Sequence, residues 1–84
     1  VDLCKTHSIP VMPHSPYFGP GLLATLHMTA CFEERTMIEY SFADLGANPI
    51  GDSILLKNNV VEVPTGPGLG YDPDPDVIAE FRVA

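Results

Sequence analysis

Proline and glycine are concentrated in two stretches of this sequence, and they limit where regular structure can form. The first stretch is IPVMPHSPYFGPG at residues 9–21, and the second is PTGPGLGYDPDP at residues 64–75. Proline fixes φ and has no N–H donor, while glycine and aspartate favour turns, so helices and strands end where these residues cluster. The first stretch begins as an apolar strand, IPVM, and becomes a loop at His14. We therefore expect short elements separated by ordered turns.

The first half of the chain predicts a strand, a helix and a second strand. A weak helix over residues 2–8 ends before Pro10, and a strand follows at 9–12. Residues 20–32 predict a helix with proline in its first turn, and residues 36–42 are rich in residues that favour strands. This order and length are typical of one βαβ unit. The apolar stripe expected on the helix comprises Leu22, Leu23, Leu26, Ala30 and Cys31.

The second half predicts a hairpin, a turn-rich loop and a short helix. Residues 54–63, ILLKNNVVEV, read as a hairpin in which Asn58 and Asn59 adopt the positive φ values of a tight turn. Residues 64–75 are almost entirely turn-forming. We expect Asp74 to be the N-cap of the last helix, with Pro75 at its first position.

Length and charge exclude several classes of protein. With 84 residues the chain forms one small domain at most, and its net charge of −7 disfavours binding to nucleic acid or to anionic membrane surfaces. Cys4 and Cys31 match no disulfide or zinc pattern, so we expect reduced, buried thiols and a cytoplasmic location. The sequence begins within a predicted helix and without an initiator methionine, so we expect a piece of a longer chain.

His14 and Glu39 are the candidate catalytic residues. His14 directly follows the strand at 9–12, and Glu39 lies in the next predicted strand, 25 residues further on. Because neighbouring parallel strands lie ~5 Å apart, both side chains are within reach of one pocket, where a histidine and a carboxylate can act as acid and base. The alternatives are a structural histidine and a glutamate that faces solvent.

The sequence resembles the C-terminal end of the mandelate racemase and muconate-lactonising enzyme family of the enolase superfamily. The resemblance rests on VMPHS, GPGLLATLHMTA, IEY and VVEVPTGPGLGYDPD, which follow one another in the order of that family. It implies an α/β fold, namely the C-terminal part of a modified (β/α) TIM-type barrel. Residues 1–53 would form the last βα units, with strands seven and eight at 9–12 and 37–41. Residues 54–84 would form a tail that returns to an α+β capping domain.

The resemblance also implies a reaction, which is abstraction of the proton α to a carboxylate with the enediolate held on Mg²⁺. His14 would be the base in a racemase or the acid in an acid-sugar dehydratase, and Glu39 would hydrogen-bond the enediolate. The Mg²⁺ ligands are expected outside this chain. Tyr17 and Phe18 are candidates for lining the substrate pocket, or they cover the barrel top.

The implied partners are the remainder of the polypeptide, a small carboxylate or acid-sugar substrate, and further copies in a homo-oligomer. The 84 residues alone are not expected to be active. The alternative from another class is a non-catalytic acidic domain that serves binding or structure.

Overall fold

Three helices organise the part of the chain that the structure describes. The structure is a computed structural model, and it describes residues 1–32, 36–51 and 53–84. The helices are α1 at Asp2–Thr6, α2 at Pro20–Ala30 and α3 at Pro75–Phe81. All three were predicted from the sequence, and the other described residues form turns and extended loops. Within these ranges, no helix has the length and apolar character needed to cross a membrane.

Helix α1 ends in a turn that directs the chain into the proline-rich stretch. Ser8 adopts φ 54°, and the N–H of Ser8 donates to the carbonyl of Lys5 at 3.0 Å. The N–H of Ile9 donates to the carbonyl of Cys4 at 2.8 Å. This pair of bonds is the Schellman arrangement, which satisfies carbonyls at a helix end, here with serine at the position that glycine usually takes.

Helix α2 buries a stripe that differs in part from the predicted one. Its three leucines are buried as expected, but Ala30 and Cys31 are exposed. Thr25 and Thr29 are buried instead, because positions 22, 25, 26 and 29 follow the helical repeat on one face. A buried threonine is tolerated when its hydroxyl has a partner, and both hydroxyls donate to carbonyls one turn back in α2.

The hydrophobic core lies between α2 and the chain that follows residue 49. The buried side chains Leu22, Leu23 and Leu26 of α2 pack with Ile50 and Ile54. Three half-buried side chains extend the cluster, namely Ile38, Val61 and Val63. The helix is therefore anchored against both the segment around residue 38 and the segment after residue 49.

The predicted strands at 9–12 and 37–41 do not form as strands in the described structure, where both segments are extended loops. The prolines provide the physical reason. A parallel strand donates alternate N–H groups to each neighbour, and Pro10 and Pro13 remove one donor from each of the two alternating rows.

The two segments nevertheless lie side by side and run in the same direction. The Thr36 hydroxyl donates to the carbonyl of Val11, and the Ser15 N–H donates to the Glu39 carboxylate at 3.1 Å. The contact points advance together along both segments, as they do in a parallel pair. Side chains thus make connections that a backbone ladder would otherwise make.

The tight turn predicted at residues 58–59 is present, but the hairpin around it is minimal. Asn58 and Asn59 have φ values of 51° and 60°, and Lys57 and Val60 exchange two backbone hydrogen bonds of 2.9 Å. No further bridge extends it in the described part of the chain. The carbonyl of Ile54, at the far end of the predicted hairpin, accepts a bond from the Tyr40 hydroxyl at 3.1 Å.

Helix α3 begins at the predicted cap. The Asp74 carboxylate accepts from the N–H groups of Asp76 at 2.8 Å and Val77 at 3.4 Å, which satisfies donors of the first turn. The backbone N–H of Asp74 donates to the carbonyl of Pro49 at 2.6 Å. No residue of α3 is buried, so this helix contributes little to the core.

The chain exposes more surface than a self-sufficient domain of its size. A compact monomer of this mass exposes roughly 4,900 Å², whereas this chain exposes 6744 Å². Its radius of gyration is 14.7 Å, against roughly 12 Å for a compact domain of this length. Large apolar side chains such as Phe42, Met37 and Phe81 remain exposed.

We predict that the isolated 84-residue chain does not unfold cooperatively, because its small core does not offset the conformational entropy of ordering it. The measurement is thermal unfolding followed by circular dichroism, together with an amide NMR spectrum. A sigmoidal melt with well-dispersed amide signals would contradict this prediction.

Candidate active site

The structure brings His14 and Glu39 into direct contact. Nδ1 of His14 lies 2.7 Å from Oε2 of Glu39, which is the distance of a charge-assisted hydrogen bond. The His14 side chain is 83% exposed and the Glu39 side chain is 38% exposed. The pair therefore lies at the surface, with the imidazole accessible to a ligand.

The parallel course of the two segments positions this pair. His14 follows the extended segment 9–12, and Glu39 lies in the neighbouring segment 36–42. Oε2 of Glu39 accepts both the imidazole and the N–H of Ser15, so one carboxylate oxygen holds two consecutive residues. Within the described part of the chain, no hydrogen bond involves Oε1, which leaves that oxygen available to a ligand.

This geometry is suited to proton transfer. A carboxylate that accepts from Nδ1 fixes the ring orientation and the tautomer, and it stabilises the imidazolium when that form appears. The other ring nitrogen, Nε2, is then the atom that exchanges a proton with a substrate. A histidine held in this way is a competent general acid or base.

Ser15 connects the pair to helix α2. Its side chain is buried, with 2% exposure, and its hydroxyl lies 2.6 Å from the hydroxyl of Thr25. Sequence reasoning did not identify either residue. The available indications were a serine directly after His14 and a threonine on the buried stripe of α2, but neither reveals that the two side chains meet.

Tyr17 and Phe18 line a groove. The groove has a volume of about 580 Å³, and its lining includes Tyr40 and Asp44 as well as the two aromatic residues. Tyr17 packs against the start of α2, where a Cβ at Gly21 would lie 2.9 Å from Cβ of Tyr17. Glycine at position 21 therefore permits this close contact. His14 and Glu39 do not line the groove themselves.

His27 and the two cysteines are not part of the His14–Glu39 pair. His27 is half-buried, and its Nε2 lies 3.2 Å from the carbonyl of Leu69, so it connects α2 to the loop at residues 64–75. Cys4 and Cys31 are both free thiols, as predicted. The expectation that both are buried is wrong, because Cys31 directly follows the last helical residue and is exposed while Cys4 is half-buried.

The described residues do not form a magnesium site. Across residues 1–32, 36–51 and 53–84, no group of three or more histidine, cysteine, aspartate or glutamate side chains is arranged to hold a metal ion. His14 and Glu39 supply only two such groups, and their closest atoms are bonded to each other.

Comparison with known proteins identifies the family. Residues 1–77 match the family described as enolase C-terminal domain-like, and the chain belongs to that family. This confirms the resemblance seen in the sequence. Membership implies a TIM-barrel-related α/β fold, although the described part of the chain shows the predicted helices and no strands.

One curated relative is a D-xylonate dehydratase of Haloferax volcanii. It is 29% identical over 84 residues, which cover 98% of this chain and 20% of that protein. The chain therefore spans about a fifth of the length of this relative. No solved structure matches the chain significantly.

Proposed function

We propose that this chain carries the acid half of the active site of an enzyme that dehydrates an acid sugar. The observation that carries the proposal is the contact between Nδ1 of His14 and Oε2 of Glu39 at 2.7 Å, with the imidazole otherwise exposed. Membership of the enolase C-terminal domain-like family and similarity to a D-xylonate dehydratase support the choice of reaction.

In such a dehydration, the C–H bond α to the carboxylate breaks and the C–O bond on the next carbon breaks. The enol that results becomes a 2-keto-3-deoxy acid, and the departing hydroxyl leaves as water. In our proposal His14 provides the proton for that water from Nε2. A hydroxyl is a poor leaving group unless it is protonated, so a positioned acid contributes directly to the rate.

Glu39 has two roles in the proposal, one for each oxygen. Oε2 accepts from Nδ1 of His14 and stabilises the imidazolium that donates the proton. Oε1 has no partner in the described chain and faces the substrate, where it hydrogen-bonds an oxygen of the enediolate. The bond to the enediolate requires a proton on Oε1, and the carboxylate that is left when this proton passes to the enediolate oxygen then stabilises the imidazolium through Oε2.

The proposal includes features that lie beyond the described residues. Enzymes of this superfamily are generally Mg²⁺-dependent, and we assign the Mg²⁺ ligands and the base for the α-proton to the remainder of the polypeptide. Tyr17 and Phe18 would contact the substrate from the groove that they line. The cytoplasmic location and the homo-oligomeric state stay predictions of the sequence.

The role of His14 is tested by His14→Asn in the complete protein, with D-xylonate as the first substrate. Loss of a positioned general acid lowers turnover by about 10²- to 10⁴-fold. We expect this loss in steady-state assays, with Mg²⁺ affinity unchanged in a titration.

The matched control is His7→Asn, which removes an exposed imidazole at the end of α1. We expect this variant to keep the activity of the parent protein. Parental turnover in His14→Asn, or an equal loss in both variants, would show that His14 is not the acid.

The role of Glu39 is tested by Glu39→Gln and Glu39→Ala in the complete protein. The glutamine keeps an oxygen for the two donors but loses the charge, so we expect a slower chemical step with measurable activity. The alanine removes every bond, and we expect a loss on the order of 10²- to 10³-fold. Single-turnover rates and Mg²⁺ titrations measure the two effects separately.

Glu62→Gln is the control for charge alone, because Glu62 is an exposed glutamate of the tail. A large fall in Mg²⁺ affinity in Glu39→Gln would make Glu39 a metal ligand. Full activity in both Glu39 variants would reduce it to a carboxylate that faces solvent.

A further inference from the structure

We propose that Ser15 and Thr25 are positioning residues that fix the geometry of the His14–Glu39 pair from helix α2. The inference rests on the proposed function for its catalytic meaning, but the contacts on which it is built do not depend on the reaction. Nothing in the chain's family membership assigns a role to either residue.

Ser15 is held from two sides. Its hydroxyl contacts Thr25 at 2.6 Å, and its backbone N–H donates to Oε2 of Glu39 at 3.1 Å. The side chain is 2% exposed, so its hydroxyl exchanges little with water. Because Oε2 is also the atom that contacts His14, any rotation of the Ser15 peptide changes the position of the whole pair.

The direction of the bond between the two hydroxyls follows from counting protons. The hydroxyl of Thr25 donates its single proton to the carbonyl of Gly21 at 3.0 Å. The remaining bond at 2.6 Å therefore has Ser15 as the donor and Thr25 as the acceptor. Each hydroxyl proton is thus used, and the chain of bonds runs from Ser15 through Thr25 to the first turn of α2.

Thr29 shows what a buried threonine of this helix does without such a role. It lies one turn further along α2, and among the described residues its hydroxyl donates to the helix carbonyls of Thr25 and Leu26 alone. Thr25 makes the same kind of bond within the helix and also contacts a residue ten positions away. Thr29 is therefore a matched control for the loss of a buried hydroxyl.

The test uses the complete protein with ¹⁵N-labelled histidine, and it reads the imidazole nitrogen resonances of His14 by NMR. His14→Asn identifies the signals. We expect Ser15→Ala and Thr25→Val to shift the Nδ1 resonance, because the bond to Glu39 lengthens or changes direction. We expect Thr29→Val to leave it in place. Thr25→Ser keeps the hydroxyl and should restore the parental resonance.

Protein stability is separated from positioning by the double variant Ser15→Ala/Thr25→Val. It removes both hydroxyls, so no buried polar group is left without a partner and the protein retains its fold. Unfolding monitored by circular dichroism should show recovery of stability relative to Thr25→Val, while the Nδ1 resonance stays shifted. An Nδ1 resonance at its parental position in the double variant would overturn the proposal, and so would an equal shift in Thr29→Val.

Steady-state kinetics of the same variants measure the effect on catalysis. Misplacement of a catalytic group lowers kcat on the order of tenfold to a hundredfold. We expect such a loss in Thr25→Val with KM for the acid sugar unchanged, and recovery in Thr25→Ser. If the parent protein lacks dehydratase activity, the proposed function fails, and the NMR shifts alone still decide whether Ser15 and Thr25 position the pair.

Discussion

The carboxylate of Glu39 is the interaction on which the site depends. Its Oε2 accepts from the imidazole of His14 and from the N–H of Ser15, and so connects two segments that are 24 residues apart in sequence. Pro10 and Pro13 each remove a backbone donor, one from each edge of the segment that precedes His14, so the ladder to either neighbour is weakened. A side-chain carboxylate therefore aligns the segments at the point where chemistry is proposed to occur.

Helix α2 provides the rigid support for this arrangement. Its leucines fill the core against Ile50 and Ile54, and that packing fixes the helix relative to the chain on either side. Thr25, on the same buried face, then accepts the hydroxyl of Ser15. The burial that holds the helix and the polar contact that holds the pair arise from one stripe of residues, so packing and site geometry are coupled.

Local rules predicted much of this structure, and non-local contacts account for the rest. Two helices begin at Pro20 and Pro75, because proline has a fixed φ and lacks the N–H donor that a first turn does not need. The turn at Asn58 forms because asparagine tolerates a positive φ. Strand formation also depends on a neighbouring strand and on backbone N–H donors. At residues 9–12 the apolar composition predicted a strand, but the spacing of the prolines prevented it. The contact between Ser15 and Thr25 was not predictable, because a hydroxyl in a sequence does not reveal which distant hydroxyl it meets.

The central claim is that His14 and Glu39 act as one unit, and a double-mutant cycle tests it most directly. The quantity is the rate of the chemical step in the complete protein for His14→Asn, Glu39→Gln and the double variant. Residues that act together are non-additive, and contacting residues couple by about 0.5–3 kcal/mol. We predict that the double variant is slowed by less than the product of the two single losses. Losses that multiply across the two sites would contradict the claim and assign the two residues independent roles.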